Sequence, residues 1–423
     1  MSHRAAVDGN LAVLTEPDAS GLLDSAVSSM GGTLRDWSVA QVDHRPGRNT
    51  TVAYRTRVQW PDGERTETLG ARLCSAAPPS TDHPGVVRVC DGSHEVQVWR
   101  FPADPELPGL RAACDRRAVA ELLRATGLDP SGAGIRVVSY RPGRRAVVQV
   151  TTPQARLYLK VLRPGAAADI HRRLVLTRAA GLPTPRSLGW NEDGILVLEP
   201  LPGVGLREAL RGDGPRASSP DDLLGLLERL PAELTELPRR RPWSESAAHY
   251  AAVIAATAPE LGDRAGVVAD DVVAALDRAG HEGPVHGDFY EAQLLASGGR
   301  ITGLLDIDTA GPGERVDDLA CLVAHLSVLV VMAPATSASI RSALSSWTAR
   351  FDHAVDPRQL RIRAAGVALS LATGPYRTQE SGWRQAVAAR IELAAQWLAA
   401  ARTARLPDFE RPLIRASEPF HQR

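Results

Sequence analysis

Residues 284–308 constrain this chain more than any other stretch. They run Pro-Val-His-Gly-Asp-Phe-Tyr-Glu-Ala-Gln from 284 to 293 and Gly-Leu-Leu-Asp-Ile-Asp from 303 to 308. Ile301 to Leu305 reads as an apolar strand with Asp306 at its end, and the Gly-Gly pair at 298–299 makes the turn before it. Loop, hairpin and second carboxylate therefore form one compact unit. Phosphoryl transfer to a hydroxyl needs few groups: one carboxylate to orient the acceptor and take its proton, and a second carboxylate with a neutral oxygen ligand to hold Mg²⁺ against the phosphates. Asp288, with Gln293 and Asp306 in register behind it, supplies that set. An aspartate in such a loop can also simply cap a turn, but a turn does not call for the amide and the second carboxylate.

His286-Gly287-Asp288, four residues, an amide and then an aspartate ending an apolar strand resemble the aminoglycoside phosphotransferase and choline kinase family, small-molecule kinases with a protein-kinase-like fold. Asp317-Asp318-Leu319-Ala320 is similar to the Asp-Leu-Ala that opens the next helix in that family. Gln293 stands where the family usually has Asn. An amide oxygen is still present one methylene further out, which implies a shifted metal rather than a lost one. Bacterial maltokinases, in the same broad family, look similar in carrying Gln there and in having an extra N-terminal cap. The resemblance implies ATP and Mg²⁺ as cofactors, Asp288 as catalytic base, and Gln293 and Asp306, with Asp308 assisting, as metal ligands. It implies a small-molecule hydroxyl as acceptor. His286 is expected to brace the loop rather than move a proton, Asp317 and Asp318 to stabilise a helix start and the loop, and Tyr290 and Glu291 to face the acceptor.

Composition adds exclusions. The 49 basic and 49 acidic residues cancel, which gives no electrostatic reason for nucleic acid or membrane as a partner. Cys74, Cys90, Cys114 and Cys321 are scattered without metal-ligand spacing and read as reduced thiols. No basic region followed by an apolar run opens the chain, and the apolar stretch around residues 328–333 is far shorter than the ~20 residues of a membrane span. A cytoplasmic protein is expected.

The rest of the chain is organised by a near-repeat. Strands around 39–42, 51–60 and 66–73 surround the turn Arg45-Pro46-Gly47-Arg48, and a hairpin follows at 86–89 and 96–101. Strands at 135–138, 146–151 and 155–161 surround Arg141-Pro142-Gly143-Arg144, followed by a hairpin around 191–194 that leads into 195–203. Two related small sheets are expected, the first a cap before the nucleotide-binding lobe. A single helix over 113–127 links them. The third strand of the second set, Leu157-Tyr158-Leu159-Lys160-Val161-Leu162, contains the only lysine of the chain. A lysine on an edge strand can simply deter aggregation. A site needing a compact ammonium rather than a planar fork accounts better for one lysine in a chain that otherwise uses arginine, and a kinase fold places its α/β-phosphate ligand there. The cap offers Arg72 and no lysine.

Arg144 sits where a phosphate-covering loop belongs, and 196–201, including Glu199 and Leu201, resembles the hinge that takes the adenine edge. The only acid near Lys160 in the following helix is Asp169. Helical patterns fill 204–280 and 317–401.

The expected fold is α+β and bilobal, protein-kinase-like, with a β-rich N-lobe and a helical C-lobe after a small β-rich cap. The expected boundaries are 1–112 for the cap, 113–203 for the N-lobe with Lys160 and hinge, 204–405 for the C-lobe, and 406–423 for a tail. The expected activity is ATP-dependent transfer to a small-molecule hydroxyl. A cationic acceptor calls for an acidic lining, for which Asp221, Asp222, Glu228 and Glu380 are available; a sugar, as in maltokinases, does not. A nucleotide-binding pseudokinase whose cap docks a partner is the rival from another class.

Overall fold

The computed structural model describes residues 9–17, 19–74, 83–91, 94–277, 280, 282–333, 336–407 and 409. The expected tail thus lies almost entirely outside the described residues. Contacts divide the chain into two compact units, one of residues 1–175, 185–200 and 376–380, the other of 176–184, 201–375 and 381–423.

The first unit contains two five-stranded antiparallel sheets. The strands of the first are β1 (Thr33–Arg45), β2 (Asn49–Trp60), β3 (Gly63–Cys74), β4 (Val86–Asp91) and β5 (His94–Arg100). Those of the second are β6 (Gly134–Arg141), β7 (Arg145–Thr151), β8 (Arg156–Leu162), β9 (Ser187–Trp190) and β10 (Ile195–Leu198). Their spatial orders, β1-β2-β3-β5-β4 and β6-β7-β8-β10-β9, are the same. The two Arg-Pro-Gly-Arg turns also share one geometry. Arg48 N–H donates to Arg45 O at 2.9 Å and Arg144 N–H to Arg141 O at 3.0 Å, with Gly47 at φ +70° and Gly143 at φ +64°. Proline at the second position and a left-handed glycine at the third make each a type II turn. Counted from the turns, register places Arg72 between Thr51 and Gln97, and Lys160 between Val147 and Leu196. The two side chains therefore occupy matching positions in their sheets.

Period-two patterning explains the strands. In β7, Ala146, Val148 and Val150 are buried while the residues between them are not. The cap sheet packs Val52, Tyr54, Leu69 and Val98 against Leu14 and Leu23 of the helices Gly9–Thr15 and Ala19–Ser29, and the Tyr54 hydroxyl donates to Leu14 O at 2.6 Å. The second sheet packs Val148, Leu159 and Ile195 against Leu110, Val119 and Leu123. The linking helix expected as one piece is two, Gly109–Cys114 and Arg116–Ala125. Asp115 breaks it: its backbone is extended, and its carboxylate accepts from Ala118 N at 2.8 Å as an N-cap.

The second unit is helical apart from short strands, β11 (Val204–Gly205), β12 (Gly283–Val285), β13 (Leu294–Ser297), β14 (Arg300–Leu304) and β15 (Gly311–Gly313). β11, β13 and β14 form one small sheet, and β12 pairs with β15. The helix Pro357–Leu371, buried from Gln359 to Ser370, packs against Arg315–Met332 and Trp383–Ala400. The α+β class, the cap sheet and the change from a sheet-rich to a helical part are those expected from the sequence. Among the described residues no helix is long and apolar enough to cross a membrane.

Candidate active site

The loop after β12 is held before any side chain does chemistry. Asp318, in the first turn of the helix Arg315–Met332, accepts from His286 N–H at 2.7 Å through Oδ2 and from Gly287 N–H at 2.8 Å through Oδ1. Burial pushes the Asp318 pKa up, against the pull of His286 and of these two N–H bonds. Gly287 has φ +79°, and a Cβ there would lie 2.7 Å from Thr309 O. Only glycine meets both conditions. His286 is fully buried and its Nε2 lies 3.0 Å from Leu305 O. A carbonyl only accepts, so Nε2 carries the proton and Nδ1 accepts from Asp288 N–H at 3.3 Å. The imidazole thus ties the Asp288 backbone to the residue before Asp306, which is the bracing role expected of it.

The β13–β14 hairpin brings the other two groups together. Leu305 N–H donates to Gln293 O at 2.7 Å, and Gln293 Nε2 stands 3.4 Å from Asp306 Oδ2. Asp306 has φ +54°, a left-handed conformation at a non-glycine residue. Such backbone costs of order 1–2 kcal/mol and clusters at functional sites. Asp308 follows in the short 3₁₀ turn Ile307–Thr309 and is half-buried.

Four features around the loop are not legible in the motif. The Cys321 thiol lies 4.0 Å from Asp288 Oδ1, and burial, with Asp288 next, pushes its pKa well up, so it remains a thiol facing the carboxylate. Arg240 donates to Gly287 O at 3.3 Å while lying over the Trp243 ring. Tyr290 stacks on His325 at 3.9 Å between ring centroids, and burial lowers the His325 pKa to about 3, so that imidazole is neutral. Glu291, expected to face the acceptor, is instead fully buried and paired with Arg207 at 2.7 Å; burial pushes its pKa up against Arg207. The expectation failed because the short 3₁₀ turn Glu291–Gln293 rotates this side chain inward. Asp317 pairs with Arg363 at 2.8 Å, and burial, opposed by Arg363, raises it to about 6. Asp221, Asp222 and Glu228 are exposed, Asp221 pairing with Arg350. Glu380 belongs to the first unit.

The remaining predicted residues lie on the first unit or at its edge. Lys160 on β8 is only 8% exposed, flanked in the sheet by Val147 and Leu196. Asp169 is exposed in the first turn of the helix Ala166–Ala179. Arg144 pairs with Asp43 at 2.9 Å. Glu199 N–H donates to Arg186 O at 2.9 Å and its carboxylate meets Arg186 at 3.3 Å. Leu201 is the first residue after the passage to the second unit.

Residues 137–336, a little under half of the chain, match the model of the phosphotransferase enzyme family. This segment contains Lys160 and the whole loop from His286 to Asp308, the residues on which the resemblance rests. No curated protein matches the sequence. Among solved structures, an aminoglycoside phosphotransferase in a ternary complex with ADP and hygromycin B is similar, at 13% identity over 67% of this chain and 97% of that one, with a TM-score of 0.47. A macrolide 2'-phosphotransferase from Brachybacterium faecium aligns at 19% identity over 66% and 97%, TM-score 0.41. A choline/ethanolamine kinase family protein from Mesorhizobium loti aligns at 15% over 70% and 96%, TM-score 0.41.

Proposed function

We propose, from the premise that residues 137–336 are a phosphotransferase-family segment, that this protein transfers the γ-phosphoryl group of ATP to a hydroxyl of a small molecule. The observation that carries the reading is the pairing of the Gln293 amide with the Asp306 carboxylate, 3.4 Å apart, on a hairpin tied through His286 to Asp288. Besides the Nε2 that meets Asp306, Gln293 has an amide oxygen, and oxygen is the donor type that Mg²⁺ takes. Among the described residues no three His, Cys, Asp or Glu side chains gather into a metal site. Mg²⁺ keeps several waters and takes phosphate oxygens, so a few protein oxygens suffice to hold it. Gln293 and Asp306, with Asp308 beside them, would hold it. Bound Mg-ATP supplies the phosphoryl group and neutralises its developing charge.

The chain's own residues do the rest. Asp288 orients the acceptor hydroxyl and takes its proton at the carboxylate. His286 and Asp318 fix the backbone that carries Asp288, so little reorganisation remains at the moment of transfer. Lys160 would hold the α/β-phosphates, and the 196–201 backbone would take the base. Asp288→Asn tests the assignment. It removes the proton acceptor and leaves the lysine and metal ligands intact, so turnover should fall by at least 10²-fold with nucleotide affinity changed less than threefold. Unchanged turnover in this variant would remove Asp288 from the chemistry.

A further inference from the structure

The turn between β6 and β7 is held partly from outside the segment that matches the family model. Pro142 and Gly143 are buried, and both backbone polar groups of Gly143 are taken. Its N–H donates to Asp104 Oδ2 at 2.7 Å, and its carbonyl accepts from Arg163 Nε at 2.9 Å. Asp104 is only 3% exposed. Its Oδ2 also accepts from the Tyr140 hydroxyl at 2.8 Å, and its Oδ1 from Glu106 N–H at 2.9 Å. The Tyr140 hydroxyl in turn accepts from Trp99 Nε1 at 2.9 Å. On the other side, Glu106 bridges Arg163 at 3.2 Å and Arg72 at 2.5 Å. Arg144 at the end of the turn meets Asp43.

The matching turn of the cap shows that the sequence of the turn does not impose this grip. Gly47 and Arg48 are exposed, and a Cβ at Gly47 would meet nothing within 4 Å. The two turns share sequence and geometry and differ in their surroundings. The cap's counterpart of Lys160, Arg72, is committed to Glu106, which joins it to Arg163 and so to Gly143. A buried carboxylate that accepts three bonds, two of them through one oxygen, fixes its donors closely.

We propose that Asp104 is a positioning residue: with Arg163 it locks the β6–β7 turn against Asp43 and the segment 104–106, and through the turn it sets nucleotide affinity. This rests on the phosphotransferase reading, in which that turn covers the phosphates. It gives the cap a task, to hold rigid a turn with a single glycine.

The experiment measures amide hydrogen exchange across 141–147 without nucleotide, and the dissociation constant of Mg-ATP, in the full chain. Asp104→Ala should raise exchange at the Gly143 amide tenfold or more, leave β8 amides unchanged, and weaken Mg-ATP about tenfold. Asp104→Asn keeps an acceptor toward Gly143 and Tyr140 and should restore most of both. Arg163→Gln, at a half-exposed side chain, keeps the inference testable if the alanine variant does not fold, and should weaken Mg-ATP severalfold. Unchanged exchange at Gly143, or freer exchange with unchanged Mg-ATP affinity, overturns the inference while leaving the phosphotransferase reading in place. A wild-type chain that binds no Mg-ATP overturns both.

Discussion

Asp317 and Asp318 are neighbours in sequence with opposite duties. Asp318 spends both oxygens on the backbone N–H groups of His286 and Gly287. Asp317 faces Arg363, which also meets Glu314, and one of its oxygens is buried without a hydrogen bond. That half-satisfied carboxylate is why burial wins over the guanidinium and the pKa rises to about 6 from 3.8. A folded-state pKa above the unfolded value means the native protein binds the proton more tightly. The stability linked to that proton is complete below about pH 4 and is lost as pH rises through about 6. At ~1.4 kcal/mol per unit, the loss is up to about 3 kcal/mol. In Asp317→Asn this part of the pH dependence should vanish, so the variant gains on the wild type between pH 4.5 and 7. Urea midpoints of both proteins at the two pH values read it; parallel curves would contradict the burial account. The sequence shows an Asp-Asp pair at a helix start but not this division. The division depends on Arg363, 46 residues on, and on which carboxylate meets the loop.

At the scale of elements, the strands were legible because period-two burial and Pro-Gly turns are local signals. The β13–β14 hairpin was legible because Gly298 and Gly299, both left-handed, leave the chain little choice but to turn. What could not be read locally was how elements meet. The linking helix looks continuous from 113 to 127, since Asp115 reveals itself as a cap only when Ala118 N–H is seen to bond it. Asp104 has no motif; its task comes from Tyr140 and Gly143, nearly forty residues on. Helix contacts are equally hidden. Gly366 sits within Pro357–Leu371, where alanine would ordinarily gain about 1 kcal/mol of helix propensity. A Cβ there would lie 2.5 Å from Ser244 Cα and 2.9 Å from its Cβ, and backbone cannot yield as a flexible side-chain end does. Overpacking of this kind costs about 1–3 kcal/mol. Gly366→Ala should therefore lower the melting temperature by a few degrees, at roughly 2–4 °C per kcal/mol for a unit of this size. A higher melting temperature would show that the helices there can move apart.

Residues 137–336 match a phosphotransferase family model, and before them lies a cap whose sheet has the strand order and turn geometry of the sheet carrying Lys160. Two sheets with one plan use the same position differently: Lys160 is a buried lysine on β8 between Val147 and Leu196, and Arg72 is committed to Glu106. Motif and geometry agree in the loop from His286 to Asp308, to which phosphoryl transfer is proposed here. The most direct measurement is acceptor-dependent ADP release by the wild-type chain with Mg-ATP, screened over aminoglycosides, maltose and other sugars, choline and hydroxy amino acids, with thermal shift by Mg-ATP recorded alongside. Mg²⁺-dependent stabilisation by nucleotide is expected, with ADP release that rises with at least one acceptor and is abolished by chelating the metal. Stabilisation with no release from any acceptor would point to a nucleotide-binding protein without turnover; no response to nucleotide at all would rule out a phosphotransferase.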